Sequence, residues 1–184
     1  PTMLDIGANL GFYSLLFAAQ GWSVLSIEAM EHNRRPLRAS LCLNPSLNVT
    51  LIGTALGSAN ASRHRAQCVA LSVERNRGNG FLACGEEAAR MPPCSQLVHS
   101  GRCRDTMHGH GVMSWLPNPK CRGGPYDIAY CERVGLRSLD EVLHEAGAPV
   151  VDVLKLDVEG MECGVLDGGR TFLADPSRRP RLLL

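Results

Sequence analysis

The chain has 184 residues, 45% of them apolar, which is enough for one domain with a sizeable core. Nineteen Lys and Arg residues stand against eighteen Asp and Glu, and a formal net charge of +1 gives no bulk electrostatic case for a nucleic-acid partner. No apolar run approaches the roughly 18 residues of a membrane-spanning helix, so we expect no membrane span within the chain.

The first stretch, TMLDIGANLG, predicts a buried parallel strand that is closed by a glycine turn at Gly7. Residues 10–20 carry apolar side chains at helical spacing, and Gly21 is typical of a helix C-cap. A strand, a glycine turn and a helix in this order direct backbone N–H groups and the positive end of a helix dipole at one place. We therefore predict a nucleotide-like ligand with an anionic group here; the alternative is an ordinary strand-to-helix turn.

The glycine spacing bears on which ligand binds. The dinucleotide fingerprint is G-x-G-x-x-G, but here Asn9 and Phe12 stand in place of its second and third glycines. The remaining pattern, with Asp5 two residues before Gly7 and with Gly11 after it, resembles the first motif of S-adenosylmethionine-dependent methyltransferases. The resemblance implies that Asp5 holds the cofactor's ammonium, directly or through water, and that the turn's N–H groups hold its carboxylate.

A second apolar run, SVLSI at residues 23–27, predicts a second strand, and Glu28 follows it directly. An acidic residue at this point, about 20 residues past the first glycine, is placed to accept hydrogen bonds from both ribose hydroxyls. This feature fits NAD as well as S-adenosylmethionine, so it indicates a nucleoside site without choosing between them. The glycine spacing favours S-adenosylmethionine.

The next elements complete an alternating pattern. Asn33 is a candidate N-cap for a helix with Pro36 in its first turn and Leu43 near its end. Residues 48–56, NVTLIGTAL, predict a third strand. Strands that alternate with helices predict an α/β fold, a doubly wound and mostly parallel Rossmann-like sheet.

Residues 58–130 break this pattern, because they are rich in Gly, Pro, Cys and Arg and show no sustained period. A compact domain rarely carries so long a structureless loop. We interpret residues 58–130 as an inserted subdomain of loops and short hairpins within a single domain over 1–184, either stapled by disulfides or partly disordered. His108 and His110 flank a glycine there, which is more typical of an exposed loop than of a metal site, and we assign no metal.

Eight cysteines are many for an intracellular enzyme, and six of them lie between Cys68 and Cys131. No pair has C-x-x-C spacing, which disfavours zinc and redox motifs. We predict at least two disulfides within Cys68–Cys131. Together with sequons at Asn48 and Asn60, this favours a glycoprotein of the secretory lumen or the extracellular space. The alternative is a cytoplasmic protein with unpaired thiols and chance sequons.

Regular secondary structure is predicted again from Val134 onward. Ser138 and Glu141 form a capping box at the start of a helix. Residues 150–158, VVDVLKLDV, predict a strand that Glu159 closes, and a helix over 161–167, a short turn and a last strand follow. Because the chain lacks an initiator Met and ends in RPRLLL, which reads as an interrupted strand, we expect a fragment of a longer protein.

Two separated motifs, DIGANLGFYS and KLDVEGMEC, together with the helix RSLDEVL, resemble the FkbM family of methyltransferases in the family's order, over about residues 1–58 and 134–184. The chain departs from the family in having Ala29 and Met30 where proline is usual, and in the length and cysteine content of its insertion. The resemblance implies methyl transfer from S-adenosylmethionine to oxygen, often on sugars. The matching residues are Asp5, Gly7, Ala8, Asn9, Gly11, Tyr13, Glu28, Leu139, Asp140, Lys155, Asp157, Val158, Glu159, Gly160 and Glu162.

In a doubly wound sheet the first strand and the 150–158 strand lie side by side, and ligands bind at their carboxyl ends. We therefore expect Asp5, the glycine turn, Asp157 and Glu159 to converge at this edge. The full set of predicted cofactor contacts is Asp5, Gly7, Ala8, Asn9, Gly11, Tyr13, Glu28, Ala29, Ala55 and Asp157.

Methyl transfer to a hydroxyl needs an acceptor held in line and a base within reach of its proton. The candidate catalytic residues are Lys155, Asp157 and Glu159. Because alternate residues of a strand share one face, we expect the Lys155 side chain to point in the same direction as the two carboxylates. One carboxylate would then touch the cofactor and the other the acceptor. The alternative is a structural salt-bridge cluster, but burying such charges without a role is costly.

The leading hypothesis is an S-adenosylmethionine-dependent O-methyltransferase that acts on a glycan or another small hydroxylated acceptor. One alternative is an oxidoreductase or epimerase that binds NAD or a nucleotide sugar, which the missing middle glycine at Asn9 disfavours. Another is a non-catalytic interaction module on a degenerate methyltransferase fold, which the retained acidic residues disfavour.

Overall fold

The computed structural model describes residues 1–64, 66–73, 76–97 and 128–184, with the side chains of residues 73 and 76–79 left out. The chain divides into two compact units, one of Pro1–Ala66 with Gly135–Leu184 and the other of Gln67–Val134. In chain order the elements are β1 (Thr2–Ile6), α1 (Phe12–Ala19), β2 (Ser23–Ile27), α2 (Glu31–Leu43), β3 (Val49–Ile52), β4 (Ala55–Leu56), α3 (Ala59–Arg63), β5 (Gln67–Val73), β6 (Asn76–Cys84), α4 (Glu86–Arg90), α5 (Cys94–Leu97), β7 (Ile128–Arg137), α6 (Leu139–Glu145), β8 (Val153–Leu156), α7 (Glu162–Gly168), α8 (Arg170–Ala174) and β9 (Leu182–Leu183).

The first unit is built on a five-stranded sheet in the order β3-β2-β1-β8-β9, with all neighbours parallel. Leu4 in β1 lies opposite Leu25 in β2 on one side and Leu154 in β8 on the other. This order confirms the predicted Rossmann-like α/β class and the predicted neighbourhood of the first strand and the 150–158 strand. The carboxyl ends of β1, β2 and β8 therefore meet at one edge.

Both faces of this sheet are covered. On one face Met3, Val24 and Val153 pack with Ala18 of α1. The other face carries the larger core, in which burial of each large apolar side chain contributes about 1.5–3 kcal/mol. Its members include Leu4, Ile6, Leu25, Ile27, Val142, Leu143, Leu154, Val165 and Phe172. Alternation of Met3 and Leu4 between the two faces explains why a continuous apolar run was the correct signal for this strand.

The predicted third strand over 48–56 is wrong as a single element. The chain leaves the parallel sheet after Ile52, and Ala55 pairs with Leu136 of β7 instead. The break falls at Gly53 and Thr54, where Thr54 Oγ1 donates to the carbonyl of Gly135 at 3.0 Å. The predicted strand over 150–158 is also shorter, because only Val153–Leu156 is extended in the sheet.

Helix α2 begins at Glu31, with Met30 rather than Asn33 at the N-cap, so Pro36 lies inside the helix. Glu31 explains the earlier start, because its carboxylate binds Arg34 and Arg38 across the first two turns. The hydrogen bond from Arg38 is the main reason why the pKa of Glu31 falls to about 2. An acidic residue in the first turn also suits the helix dipole.

The second unit contains the β5–β6 antiparallel hairpin, in which Cys68 lies opposite Cys84, and β7 lies beside β5. Strand β7 begins at Ile128, before Val134, where regular structure was expected to resume, and the assignment of residues 58–130 as an insertion stays a prediction. A small core stabilises this unit and includes Val69, Leu71, Ala83, Ala88, Met91, Leu97 and Ile128. No helix among the described residues is long and apolar enough to cross a membrane.

Two disulfides join Cys68 to Cys84 and Cys94 to Cys131, which confirms the prediction of at least two within this region. Cys42 and Cys163 carry exposed free thiols. The remaining two cysteines, Cys103 and Cys121, lie outside the described residues, as do His108 and His110.

The pairing predicts a definite labelling pattern. In denatured, unreduced protein from its native source, alkylation should modify Cys42 and Cys163 and leave the four paired cysteines intact, as read by mass spectrometry of linked peptides. Replacing Cys68 and Cys84 together by Ser should destabilise the second unit by about 2–4 kcal/mol, because the unfolded loop is then unconstrained. Cys42→Ser is the control and should leave stability unchanged; alkylation of the four paired thiols without reduction would contradict the assignment.

Candidate functional site

The glycine turn after β1 is attached to the end of β2. Its backbone is left-handed at Gly7, Asn9 and Gly11, with φ values of 76°, 53° and 88°. The amides of Gly7 and Ala8 both donate to the carbonyl of Ile27, at 2.9 and 3.1 Å, and the Gly11 amide donates to the carbonyl of Ala8. These amides are therefore engaged within the chain, and the expectation that they hold an anionic group is wrong for them. The donors that follow are the first-turn amides of α1, which have no intrahelical acceptors.

Glu28 links this turn to the start of α2. Its Oε2 accepts from the amide of Asn9 at 2.8 Å, and its Oε1 accepts from the amide of Met30 at 2.8 Å and from Asn33 Nδ2 at 3.4 Å. The residue is only 5% exposed. The carboxylate thus fixes two loops at the carboxyl edge and keeps part of its acceptor capacity, since a carboxylate has about four acceptor positions.

Arg34 is a structural neighbour of Glu28 that sequence reasoning missed. Its guanidinium donates to the backbone carbonyls of Glu28 and Ala29 and pairs with Glu31. It also fills the space beside Gly53, where a Cβ would lie 2.8 Å from Nε. The available signal was an arginine in the first turns of a helix, where a positive charge is unfavourable without an acidic partner.

Asp5 lies at the centre of a buried polar network. Its side chain has no exposed surface, and its Oδ2 accepts from Ser14 Oγ at 2.6 Å, which in turn lies 2.7 Å from Ser26 Oγ. Its Oδ1 lies 3.3 Å from Lys155 Nζ. Direct contact between Asp5 and a ligand, one of the two predicted routes, is therefore excluded by burial.

Lys155 connects β8 to the glycine turn. Its Nζ donates to the carbonyl of Gly7 at 2.8 Å and lies 3.7 Å from Asp157 Oδ2, while its side chain is only 10% exposed. The Tyr13 ring centroid is 5.8 Å from the same nitrogen. The structure thus brings together four of the predicted residues, Gly7, Tyr13, Lys155 and Asp157.

Glu159 is a different case. The strand ends at Leu156, and Glu159 has a left-handed backbone, with φ 51°, in the turn beyond it. The period-of-two argument for Glu159 is therefore wrong, because it requires an extended strand. Both carboxylates are accessible: Asp157 has a side chain that is 66% exposed, and Glu159 is exposed.

Glu162 shapes this turn, a role that sequence reasoning did not assign. Its Oε1 accepts from the amides of Val158 and Gly160 at 3.3 and 3.2 Å. These hydrogen bonds, led by one from its own backbone amide, lower the pKa of Glu162. Glu162 therefore accepts hydrogen bonds from two backbone amides of the turn, and the Glu159 side chain is left exposed to solvent.

The remaining predicted residues divide by exposure. Tyr13 is 42% exposed and lies edge-on to the ring of Phe12, with centroids 5.2 Å apart. Ala55 is only 1% exposed, within β4, and offers a ligand almost no surface. Asp140, from the family motif, accepts from the amides of Thr171 and Phe172, both at 2.9 Å, and so caps α8.

Among the described residues there is no group of three or more His, Cys, Asp or Glu side chains that could hold a metal ion.

A mostly parallel sheet, a glycine turn after its first strand and an acidic residue after its second define a Rossmann-like α/β domain of the kind that binds nucleoside ligands. The model of the methyltransferase FkbM domain matches residues 5–182. The chain therefore belongs to the FkbM methyltransferase domain family.

Two solved structures of WbdD, a high-resolution (2.2 Å) crystal structure and a co-crystal structure with the kinase inhibitor LY294002, are similar over short stretches. They are 29% and 26% identical over 28% and 32% of this chain, with TM-scores of 0.28. The matched stretches amount to 12% and 15% of those chains, so this chain spans a small part of their length. No curated protein sequence matches.

The glycine turn passes so close to the end of β8 that residue 7 has no room for a Cβ, and this can be tested by substitution. A Cβ built there would lie 1.9 Å from the carbonyl oxygen of Asp157, whereas one at Gly21, with a similar φ of 82°, would meet nothing within 4 Å. Gly21→Ala should therefore cost only the left-handed strain, about 1–2 kcal/mol, and Gly7→Ala should add steric displacement for a total of roughly 3 kcal/mol or more. Denaturant unfolding of both variants measures this difference, and equal losses would contradict the close packing.

Proposed function

We propose that the chain is an S-adenosylmethionine-dependent O-methyltransferase that acts on a hydroxyl of a glycan or another small hydroxylated acceptor. Membership of the FkbM methyltransferase domain family supports the reaction class. The observation that carries the cofactor assignment is the bond between Glu28 and the glycine turn, which puts an acidic side chain where a nucleoside's ribose is commonly held.

The residues at this edge fit such a cofactor in their chemistry. S-adenosylmethionine carries a ribose diol, a sulfonium cation, an ammonium and a carboxylate. Glu28 Oε2 has one acceptor position beyond its bond to the Asn9 amide, which suits a ribose hydroxyl. The exposed carboxylate of Asp157 suits the cationic groups, and the first-turn amides of α1 suit the carboxylate.

When bound, the cofactor would supply an electrophilic methyl group, and the chain's task would be to orient the acceptor and take up its proton. Asp157 is held against β1 by its own amide, which donates to the carbonyl of Ile6 at 3.1 Å, so we assign it to the cofactor side. Glu159 follows in the outward turn and is assigned to the acceptor side. Because a carboxylate is a weak base for an alcohol, most of the catalysis would come from positioning.

The compartment is part of the proposal. The two disulfides favour an oxidising environment, either the secretory lumen or the extracellular space. Both sequon asparagines, Asn48 and Asn60, are exposed, which is compatible with their glycosylation.

Removing the Glu28 carboxylate should weaken binding of S-adenosylmethionine and of its demethylated product, S-adenosylhomocysteine, to the same extent, because both carry the ribose. Loss of a charged hydrogen bond of about 1.5–3 kcal/mol predicts a ten- to hundredfold increase in Kd for Glu28→Ala. Calorimetric titration measures both ligands.

The control for the Glu28 variant is Glu145→Gln, which removes a carboxylate at the end of α6. Its affinity should match that of the wild-type protein. Thermal unfolding of each variant checks that the loops held by Glu28 remain folded. Unchanged affinity of a folded Glu28→Ala protein would contradict the ribose assignment.

The base assignment can be tested once an acceptor is in hand. Glu159→Gln keeps the shape of the side chain and removes the base, so turnover should fall by about a hundredfold or more while cofactor affinity is retained. Survival of the rate in a variant that still binds the cofactor would exclude Glu159 as the base, and Asp157→Asn would then be the variant to measure.

A further inference from the structure

Three charged side chains form a compact cluster at the carboxyl edge, which we name the Asp5–Lys155–Asp157 cluster. Lys155 Nζ lies 3.3 Å from Asp5 Oδ1 and 3.7 Å from Asp157 Oδ2. With both carboxylates ionised and the lysine protonated, the cluster carries one net negative charge. Exposure divides its members sharply, because Asp5 is fully buried, Lys155 is 10% exposed and Asp157 is 66% exposed.

The contacts of Lys155 argue against its acting directly on a reactant. Its Nζ donates a hydrogen bond to the carbonyl of Gly7, which is 2.8 Å away, and lies within ion-pair range of Asp5 and Asp157, at 3.3 and 3.7 Å. An isolated buried charge is costly, so the buried Asp5 carboxylate needs this lysine as its partner. Lys155 and Asp5 therefore compensate each other, and the charge left uncompensated is the accessible one on Asp157.

We propose that the net charge of this cluster sets the preference of the site for the sulfonium cofactor over its neutral thioether product. This inference rests on the proposed function. S-adenosylmethionine and S-adenosylhomocysteine differ by one methyl group and one positive charge. A cluster with one net negative charge attracts the sulfonium and has no such attraction for the thioether, so methyl transfer itself weakens the hold on the spent cofactor.

Asp5 has a specific part in this arrangement. It never touches the cofactor, because it is buried, and it acts by neutralising Lys155. Without Asp5 the lysine would cancel Asp157, and the cluster would lose its net charge. Asp5 and Lys155 are therefore positioning residues that set the local charge, and the ratio of the two ligands' affinities reports their effect.

The test is a titration of S-adenosylmethionine and S-adenosylhomocysteine into the wild-type chain and three variants. Asp5→Asn and Asp157→Asn each bring the cluster to zero net charge, and each should reduce the preference for the sulfonium, by about fivefold for one charge at about 4 Å in a fully solvated site. Asp5→Asn combined with Lys155→Met restores one net negative charge and should return the preference to within about twofold of wild type.

Glu145→Gln is the matched control, because the side chain of Glu145 is 67% exposed, close to the 66% of Asp157, and its ion pair with Arg137 lies outside the cluster. It should leave the ratio unchanged. A general structural role for Asp5 or Asp157 would weaken both ligands equally and would not move the ratio. If Asp5→Asn fails to fold, Asp157→Asn carries the test, since its side chain projects into solvent.

An unchanged ratio in the folded single variants would overturn the inference, and so would a double variant that stays at the level of Asp5→Asn. Either result would leave the proposed function intact, because the wild-type chain would still bind both ligands. Failure of the wild-type chain to bind either ligand would overturn the proposed function and the inference with it.

Discussion

The carboxyl edge of the sheet depends on how closely the backbone at Gly7 passes the end of β8. The carbonyl oxygen of Asp157 occupies the place where a Cβ of residue 7 would be, 1.9 Å away. This approach lets Lys155 reach the carbonyl of Gly7, and it leaves the Gly7 amide directed at Ile27 on the other side. One absent side chain thus allows the ends of β1, β2 and β8 to be joined by hydrogen bonds.

Much of the parallel sheet could be predicted because its signals are local. The run around Leu4, the turn at Gly7 and the helix that follows lie within one short stretch, and each agrees with the others. The break after Ile52 could not be predicted in the same way, because the partners of Thr54 and Ala55 lie in β7, far along the chain. Strand pairing of this kind is a tertiary preference that local propensity does not report.

At the start of α2 a local signal, the position of Pro36, led to a wrong prediction of where the helix begins. Pro36 is typical of a helix's first turn, yet the helix begins at Glu31. The ion pairs of Glu31 with Arg34 and Arg38 stabilise the extra turn and offset the hydrogen bond that proline removes.

At the candidate site, sequence reasoning predicted which residues meet more accurately than what each one does. Asp5, Lys155 and Asp157 do converge, but a motif shows residue types and not their partners. The burial of Asp5 and the occupation of the Gly7 and Ala8 amides by Ile27 arise from neighbouring strands. These contacts place Asp5 in a buried polar network with Ser14 and Lys155. Glu28 is the side chain that connects the turn to the start of α2, through the amides of Asn9 and Met30.

The central claim is that this edge binds S-adenosylmethionine, and calorimetric titration of the wild-type chain with S-adenosylmethionine and with NAD tests it most directly. We expect saturable binding of S-adenosylmethionine at one site per chain and no measurable heat with NAD at the same concentrations, because the glycine spacing and the Asp157 carboxylate suit the first ligand and not the second. Binding of NAD, or binding of neither ligand, would contradict the claim.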